Sequence, residues 1–124
     1  MTVKIILACI LVSSMLLGAT TAQADQFTLG RTIVLKGSNE AVIPVPLCRK
    51  AKSIRVKAER GMNLKRVKVN FQNGESRTFH FNRGLAENQK TDWRKFAYSR
   101  CVTSLEVFGK PYGSKAGVRV YGRK

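Results

Sequence analysis

Leu64-Lys65-Arg66-Val67-Lys68-Val69-Asn70-Phe71-Gln72-Asn73-Gly74-Glu75-Ser76-Arg77-Thr78-Phe79-His80-Phe81 is the stretch that decides the fold. Val67, Val69 and Phe71 alternate with Arg66, Lys68 and Asn70, and Phe79 and Phe81 resume the alternation beyond Asn73-Gly74. Period two marks a strand with one buried face, and Asn-Gly marks a hairpin turn. A two-residue loop would pair Lys68 with Phe79 and mix the faces. A three-residue loop, Gln72-Asn73-Gly74, pairs Phe71 with Glu75, Val69 with Arg77 and Val67 with Phe79, which keeps one face apolar. It also sets Lys68 opposite Thr78 and Arg66 opposite His80 on the outer face. That is a type I turn with a G1 bulge, and Gly74 takes the left-handed position.

The same alternation extends in both directions. Phe27 and Leu29 begin a strand that continues through Thr32–Leu35. Ala41–Leu47 carries Pro44 and Pro46 two residues apart, so both missing N–H groups face one way, as an edge strand requires. Ser53–Ala58, Leu64–Phe71, Arg77–Asn82, Trp93–Tyr98, Thr103–Phe108 and Gly117–Tyr121 complete the set. No stretch after Asp25 shows helical periodicity. About eight short strands without a helix predict a single antiparallel β-sandwich. The polar gap from Arg83 to Asp92 is the longest irregular stretch, with Leu85 expected to pin it to the core. No internal repeat appears, and a span of about 100 residues is too short to feed two cores.

Residues 1–24 read as a secretory signal peptide: Lys4, an apolar run from Ile5 to Leu17, then Ala22-Gln23-Ala24 as the cleavage site. The run is too short for a membrane span, and Cys9 inside it is no lipid anchor. Cleavage would leave residues 25–124 as the mature domain, removing only Lys4 from the 23 Lys and Arg and none of the 7 Asp and Glu. Cys48 and Cys101 remain, and an exported domain with one cysteine pair implies one disulfide, worth about 4 kcal/mol for a loop of this length. Export also places the protein in the periplasm or outside the cell.

The order of motifs adds a resemblance. Val45-Pro46-Leu47-Cys48-Arg49, the Ile54/Val56 strand and Gly61-Met62-Asn63-Leu64 come first. Val67 through Glu75 and Thr91-Asp92-Trp93 follow. Arg100-Cys101-Val102 precedes Leu105/Val107, and Val118-Arg119-Val120-Tyr121-Gly122 closes the chain. This resembles the small exported bacterial domain-of-unknown-function family 2541. The resemblance implies a periplasmic all-β domain with a Cys48–Cys101 bridge, and it brings no activity or ligand.

Little supports catalysis. His80 is the one histidine and is read as solvated beside Arg66. A nucleophilic site needs a histidine oriented by a carboxylate and touching a nucleophile. No carboxylate pair suits glycoside hydrolysis. One His and a bridged cysteine pair cannot build a zinc site. No glycine-rich phosphate loop occurs, and no cofactor is expected.

The formal net charge of +16 is the feature that asks for a cause. Arg55 and Lys57, Arg66 and Lys68, and Arg119 point outward from strands. Arg49, Lys50 and Lys52 follow Cys48, while Arg94, Lys95 and Arg100 precede Cys101, so a disulfide would bring these two clusters together. One reading is a docking surface for a polyanion: lipopolysaccharide phosphates, anionic phospholipid headgroups, acidic glycans or extracellular DNA. The other is solubility and protection of strand edges. The placement of Arg55/Lys57 relative to Arg66/Lys68 separates them, because like charges on neighbouring strands are unfavourable unless an anion joins them. A Trp or Tyr beside Arg94 and Lys95 would either stack on a sugar or base or cap the core. The sequence therefore supports an exported, non-enzymatic binding or accessory module. Its alternative is a structural or protein-interaction domain using a strand edge or the 83–92 loop.

Overall fold

A computed structural model describes residues 26–124. The signal-peptide reading of 1–24 lies outside the described residues. The chain is all-β and antiparallel, as expected, but the strand count differs. There are six strands: β1 (Gln26–Leu35), β2 (Glu40–Ala58), β3 (Met62–Phe71), β4 (Ser76–Leu85), β5 (Arg94–Pro111) and β6 (Lys115–Arg123). They form one sheet in the order β1-β6-β2-β5-β3-β4, rather than the two sheets of about eight strands expected. The expected Ala41–Leu47 and Ser53–Ala58 strands are the two ends of β2. Trp93–Tyr98 and Thr103–Phe108 fuse in the same way, with β5 running from Arg94. The polar runs Arg49–Lys52 and Ser99–Arg100 resembled breaks, yet they hold no Gly, Asn, Asp or Pro to turn the chain, so it stays extended.

The two long strands let a single sheet enclose a core. β2 pairs with β5 from Glu40 to Ile54 and with β6 from Ser53 to Ala58, so the two ladders overlap at Ser53 and Ile54. β1 returns over the first half of β2: the Gly30 backbone lies against the Ile43 side chain, where a Cβ would collide. One continuous cluster results, with Val34, Ile54, Val56, Val67, Val69, Leu105, Val107, Val118 and Val120 wholly buried. The expected edge position of the prolines is met locally. β2 is central in the sheet, but β6 pairs only with residues 53–58, so the Pro44–Pro46 half has a ladder on one side.

The hairpin register is the expected one. Arg66 pairs with His80, Val67 with Phe79, Lys68 with Thr78 and Val69 with Arg77. The Phe71 N–H donates to Glu75 O (2.9 Å) and the Gly74 N–H to Phe71 O (3.1 Å). Gly74 has φ 88°, where a Cβ costs about 1–2 kcal/mol.

Two irregularities govern the rest. The β2–β5 register breaks between Pro44 and Arg49, which face Ser104 and Val102, so residues 45–48 bulge from β2 opposite Thr103. It breaks again between Ala51 and Ser53, which face Arg100 and Lys95, so residues 96–99 bulge from β5 opposite Lys52. The Cys48–Cys101 disulfide, with Cα atoms 5.4 Å apart, ties the strands between the two bulges. Phe96 anchors the second bulge, its ring 5.1 Å from Phe71 edge-on and 5.8 Å from Phe79.

Two stability measurements check this account. Gly74→Ala should lower the urea-unfolding free energy by about 1–2 kcal/mol, and Gly74→Asn by less, since Asn tolerates left-handed backbone. Cys48→Ser/Cys101→Ser should cost about 2–5 kcal/mol.

Candidate functional site

Strand pairing sorts the basic residues singled out in the sequence. Lys68 lies 3.9 Å from the Glu106 carboxylate, and Arg66 covers the Phe108 ring at 4.2 Å. Arg94 is paired with Asp92 and stacked over Phe81. Arg100 is paired with Glu75 and lies over both Phe71 and Tyr98. Arg55 donates from Nε to Thr91 O (3.1 Å) and covers Trp93, which Arg123 also covers at 4.6 Å. These cations already have partners.

Arg55/Lys57 and Arg66/Lys68 are not neighbours. The former face Tyr121 and Arg119 of β6, the latter Phe108 and Glu106 of β5. Repulsion between these pairs is therefore absent, and the charge is spread. Like charges do meet elsewhere: Arg31, Arg119, Lys57 and Lys90 stand in one row across the sheet. Glu59 holds that row together, 2.6 Å from Arg31 and 3.7 Å from Arg119. The Arg31 hydrogen bond, reinforced by the charges of Arg31, Arg119 and Lys57 and opposed by burial, holds the Glu59 carboxyl below the usual range. Arg119 Nε is nevertheless buried without a partner.

The Thr91-Asp92-Trp93 motif has a structural role. Thr91 is buried; its N–H donates to Val56 O (2.8 Å), and its Oγ1 accepts from Val56 N–H (3.0 Å) and donates to Asp92 O (2.9 Å). It substitutes for a strand along the open side of β2. The 83–92 segment is tied down rather than free. Leu85 is in the core as expected, and Asn88 N–H and Gln89 O bond the backbone of Ala58. His80 is exposed opposite Arg66, as expected.

Six cations gather at the disulfide. A groove of about 510 Å³ is lined by Lys52, Lys95, Tyr98, Arg123 and Lys124, among others. A second, of about 530 Å³, is lined by Phe27, Cys48, Arg49, Lys50, Lys52 and Lys124. They share Lys52, Ser99 and Lys124 and form one basin in two lobes. No Asp or Glu side chain among the described residues lines either lobe, and none of its six cations makes an ion pair within the described residues. The expected meeting of the two cysteine-flanking clusters is thus partial. Arg49, Lys50, Lys52 and Lys95 come together, while Arg94 and Arg100 turn to their own acids. Arg123 and Lys124 went unnoticed in the sequence. Arg123 reaches the site because it pairs with Ser53 across β6 and β2. Its parity with Arg119 and Tyr121 was the available signal.

The chain belongs to the family described as Domain of unknown function (DUF2541), which it matches over residues 6–122. No curated protein matches it. Among solved structures it is similar to a putative α-L-fucosidase from Bacteroides thetaiotaomicron, at TM-score 0.51 and 11% identity, over 79% of this chain and 23% of that one. That likeness shows a shared fold and nothing more. It is also similar to the family 32 CBM from C. perfringens NanJ in complex with galactose, at TM-score 0.48 and 11% identity, over 77% of this chain and 98% of that one. This second likeness is too distant to carry an inference. The disulfide itself belongs to an oxidising, non-cytoplasmic compartment.

The charge row gives a pH-dependent expectation. A lowered carboxyl pKa stabilises the fold above the ordinary value of the group, and the contribution is lost as pH falls through the lowered one. Glu59→Gln should therefore destabilise the protein at pH 7 and matter progressively less below about pH 4, as read from urea midpoints at both pH values.

Proposed function

We propose that the protein is an exported, non-enzymatic binding module that docks phosphate- or carboxylate-bearing components of the cell envelope in the basin at its disulfide. One observation carries the reading. Arg49, Lys50, Lys52, Lys95, Arg123 and Lys124 surround one concavity that no Asp or Glu side chain among the described residues lines, and none of the six makes an ion pair there; Arg49 lies over Phe27 and Arg123 over Trp93. A charge distribution serving solubility alone has no reason to gather six cations around one concavity, where mutual repulsion is greatest. Strand bulges re-aim side chains and recur beside functional sites, and both lobes lie at bulges. Envelope lipopolysaccharide, anionic lipid and acidic glycan all present the required groups. The signal-peptide reading of 1–24 and the disulfide both support export to the periplasm or beyond.

A second reading, protein docking at a strand edge, is favoured by Ile33 and Leu35, which are exposed on the outermost strand β1.

The discriminating experiment is retention of the oxidised protein on immobilised lipopolysaccharide, anionic lipid and DNA over a salt series, with a charge-matched basic protein as control. Lys52→Ser/Lys95→Ser/Lys124→Ser should weaken binding to the preferred surface about a hundredfold, at roughly 1 kcal/mol per lysine. Lys57→Ser/Lys68→Ser/Lys110→Ser removes the same charge elsewhere and should have a much smaller effect. Equal losses from both variants would reduce the charge to a solubility device. A salt-insensitive partner lost with Ile33→Ser would favour the edge.

A further inference from the structure

Leu47 is an anomaly in both conformation and exposure. Among the described residues, four non-glycine residues have positive φ: Asn39, Leu47, Asn82 and Asn88. Asparagine tolerates this region, whereas leucine has no local hydrogen bond to offset the clash of its Cβ. Leu47, at φ 57°, is also 99% exposed. It sits in the 45–48 bulge, between Pro46 and the disulfide-bound Cys48, so the backbone on both sides is restrained. Such strain persists only where surrounding structure enforces it, and it concentrates at ligand-contacting positions.

Leu47 is not alone. Ile43 and Val45 are buried, so Val42, Pro44 and Pro46 point outward, and all three are exposed. An apolar strip therefore runs along the outer side of β2 and ends at Leu47. Immediately beyond it come Cys48, Arg49, Lys50 and Lys52, which line the basin. Protein interfaces are depleted of lysine. Apolar side chains beside a lysine and arginine cluster instead match a surface that is hydrocarbon inside and anionic at its boundary.

We infer that the Val42–Leu47 strip is a bilayer-insertion edge, with Leu47 entering the acyl boundary of an anionic membrane while the basin holds the phosphate headgroups. The inference rests on the basin reading above and gives it a particular occupant. The disulfide keeps the leucine projecting in the absence of lipid, so no folding step is needed on binding.

The test uses the oxidised mature protein, residues 25–124, in vesicle co-sedimentation, so that the apolar run Ile5–Leu17 takes no part in binding. The vesicles are phosphatidylglycerol mixed with phosphatidylcholine, or phosphatidylcholine alone, and inorganic polyphosphate serves as a soluble phosphate probe. Leu47→Ser should weaken binding to the anionic vesicles by about tenfold or more and leave polyphosphate binding unchanged. Lys52→Ser/Lys95→Ser/Lys124→Ser should weaken both. Leu47→Asn, suited to the left-handed backbone, should raise the thermal midpoint by about 2–5 °C while losing the same vesicle affinity. Vesicle binding indifferent to Leu47, or a lowered midpoint in Leu47→Asn, would overturn insertion and leave the basin reading intact, whereas equal binding to phosphatidylcholine alone would overturn the part given to anionic headgroups and with it the basin reading. Polyphosphate binding without vesicle binding would do the same and point the strip toward a protein. Failure to bind either probe would overturn both.

Discussion

The Cys48–Cys101 disulfide is the constraint on which the remaining features depend. It joins the two longest strands between the two places where their ladder breaks. A bulge leaves backbone groups out of the ladder and bends the strand, so two bulges in succession would ordinarily weaken the β2–β5 seam. The crosslink restricts the unfolded chain and holds the seam in register across the interruption. Phe96 supports it from inside, filling the space between Phe71 and Phe79. With the seam held, the bulges can carry side chains away from the sheet, and they do so on one side of the molecule.

Electrostatics then follows from strand order. Half of the described cations lie beside a carboxylate or an aromatic face. Glu59, Glu75, Asp92 and Glu106 each hold one or two, and Phe71, Phe81, Trp93 and Phe108 are covered by guanidinium groups. Surface pairs of this kind are worth little individually, about 0–1 kcal/mol each. Their effect is to leave the basin distinct in one respect: six cations meet there with no Asp or Glu side chain among the described residues beside them. The functional reading depends on that contrast rather than on total charge.

The part played by the family motifs changes in this light. Thr91-Asp92-Trp93 entered as part of a family pattern, with Trp93 expected either to stack on a ligand or to cap the core. In the structure it closes the open side of β2 through Thr91 and packs Arg55 and Arg123 on Trp93. Trp93 therefore belongs to the scaffold that carries the site, with two guanidinium groups already over its ring. The segment before the first cysteine, including Leu47, had attracted attention only for its prolines and as part of a family pattern. Neither its left-handed backbone nor its exposure leaves a mark on composition.

What the sequence by itself determined is local. Side-chain parity, the three-residue turn at Asn73-Gly74 and the register Val67–Phe79 follow from a period of two and the φ that glycine allows, and neither needs a distant residue. The disulfide follows equally from Cys48 and Cys101 being the one cysteine pair left when 1–24 are read as a signal peptide. Only the tertiary structure decided whether Arg49–Lys52 breaks a strand or continues it, because an extended polar run becomes strand when a neighbour supplies hydrogen bonds. It also decided which cations stay unneutralised: Lys68 meets Glu106, and Arg123 reaches the basin through Ser53, by pairings between strands far apart in the chain. Local alternation says which face a residue occupies; only the order of strands says what it faces across the ladder.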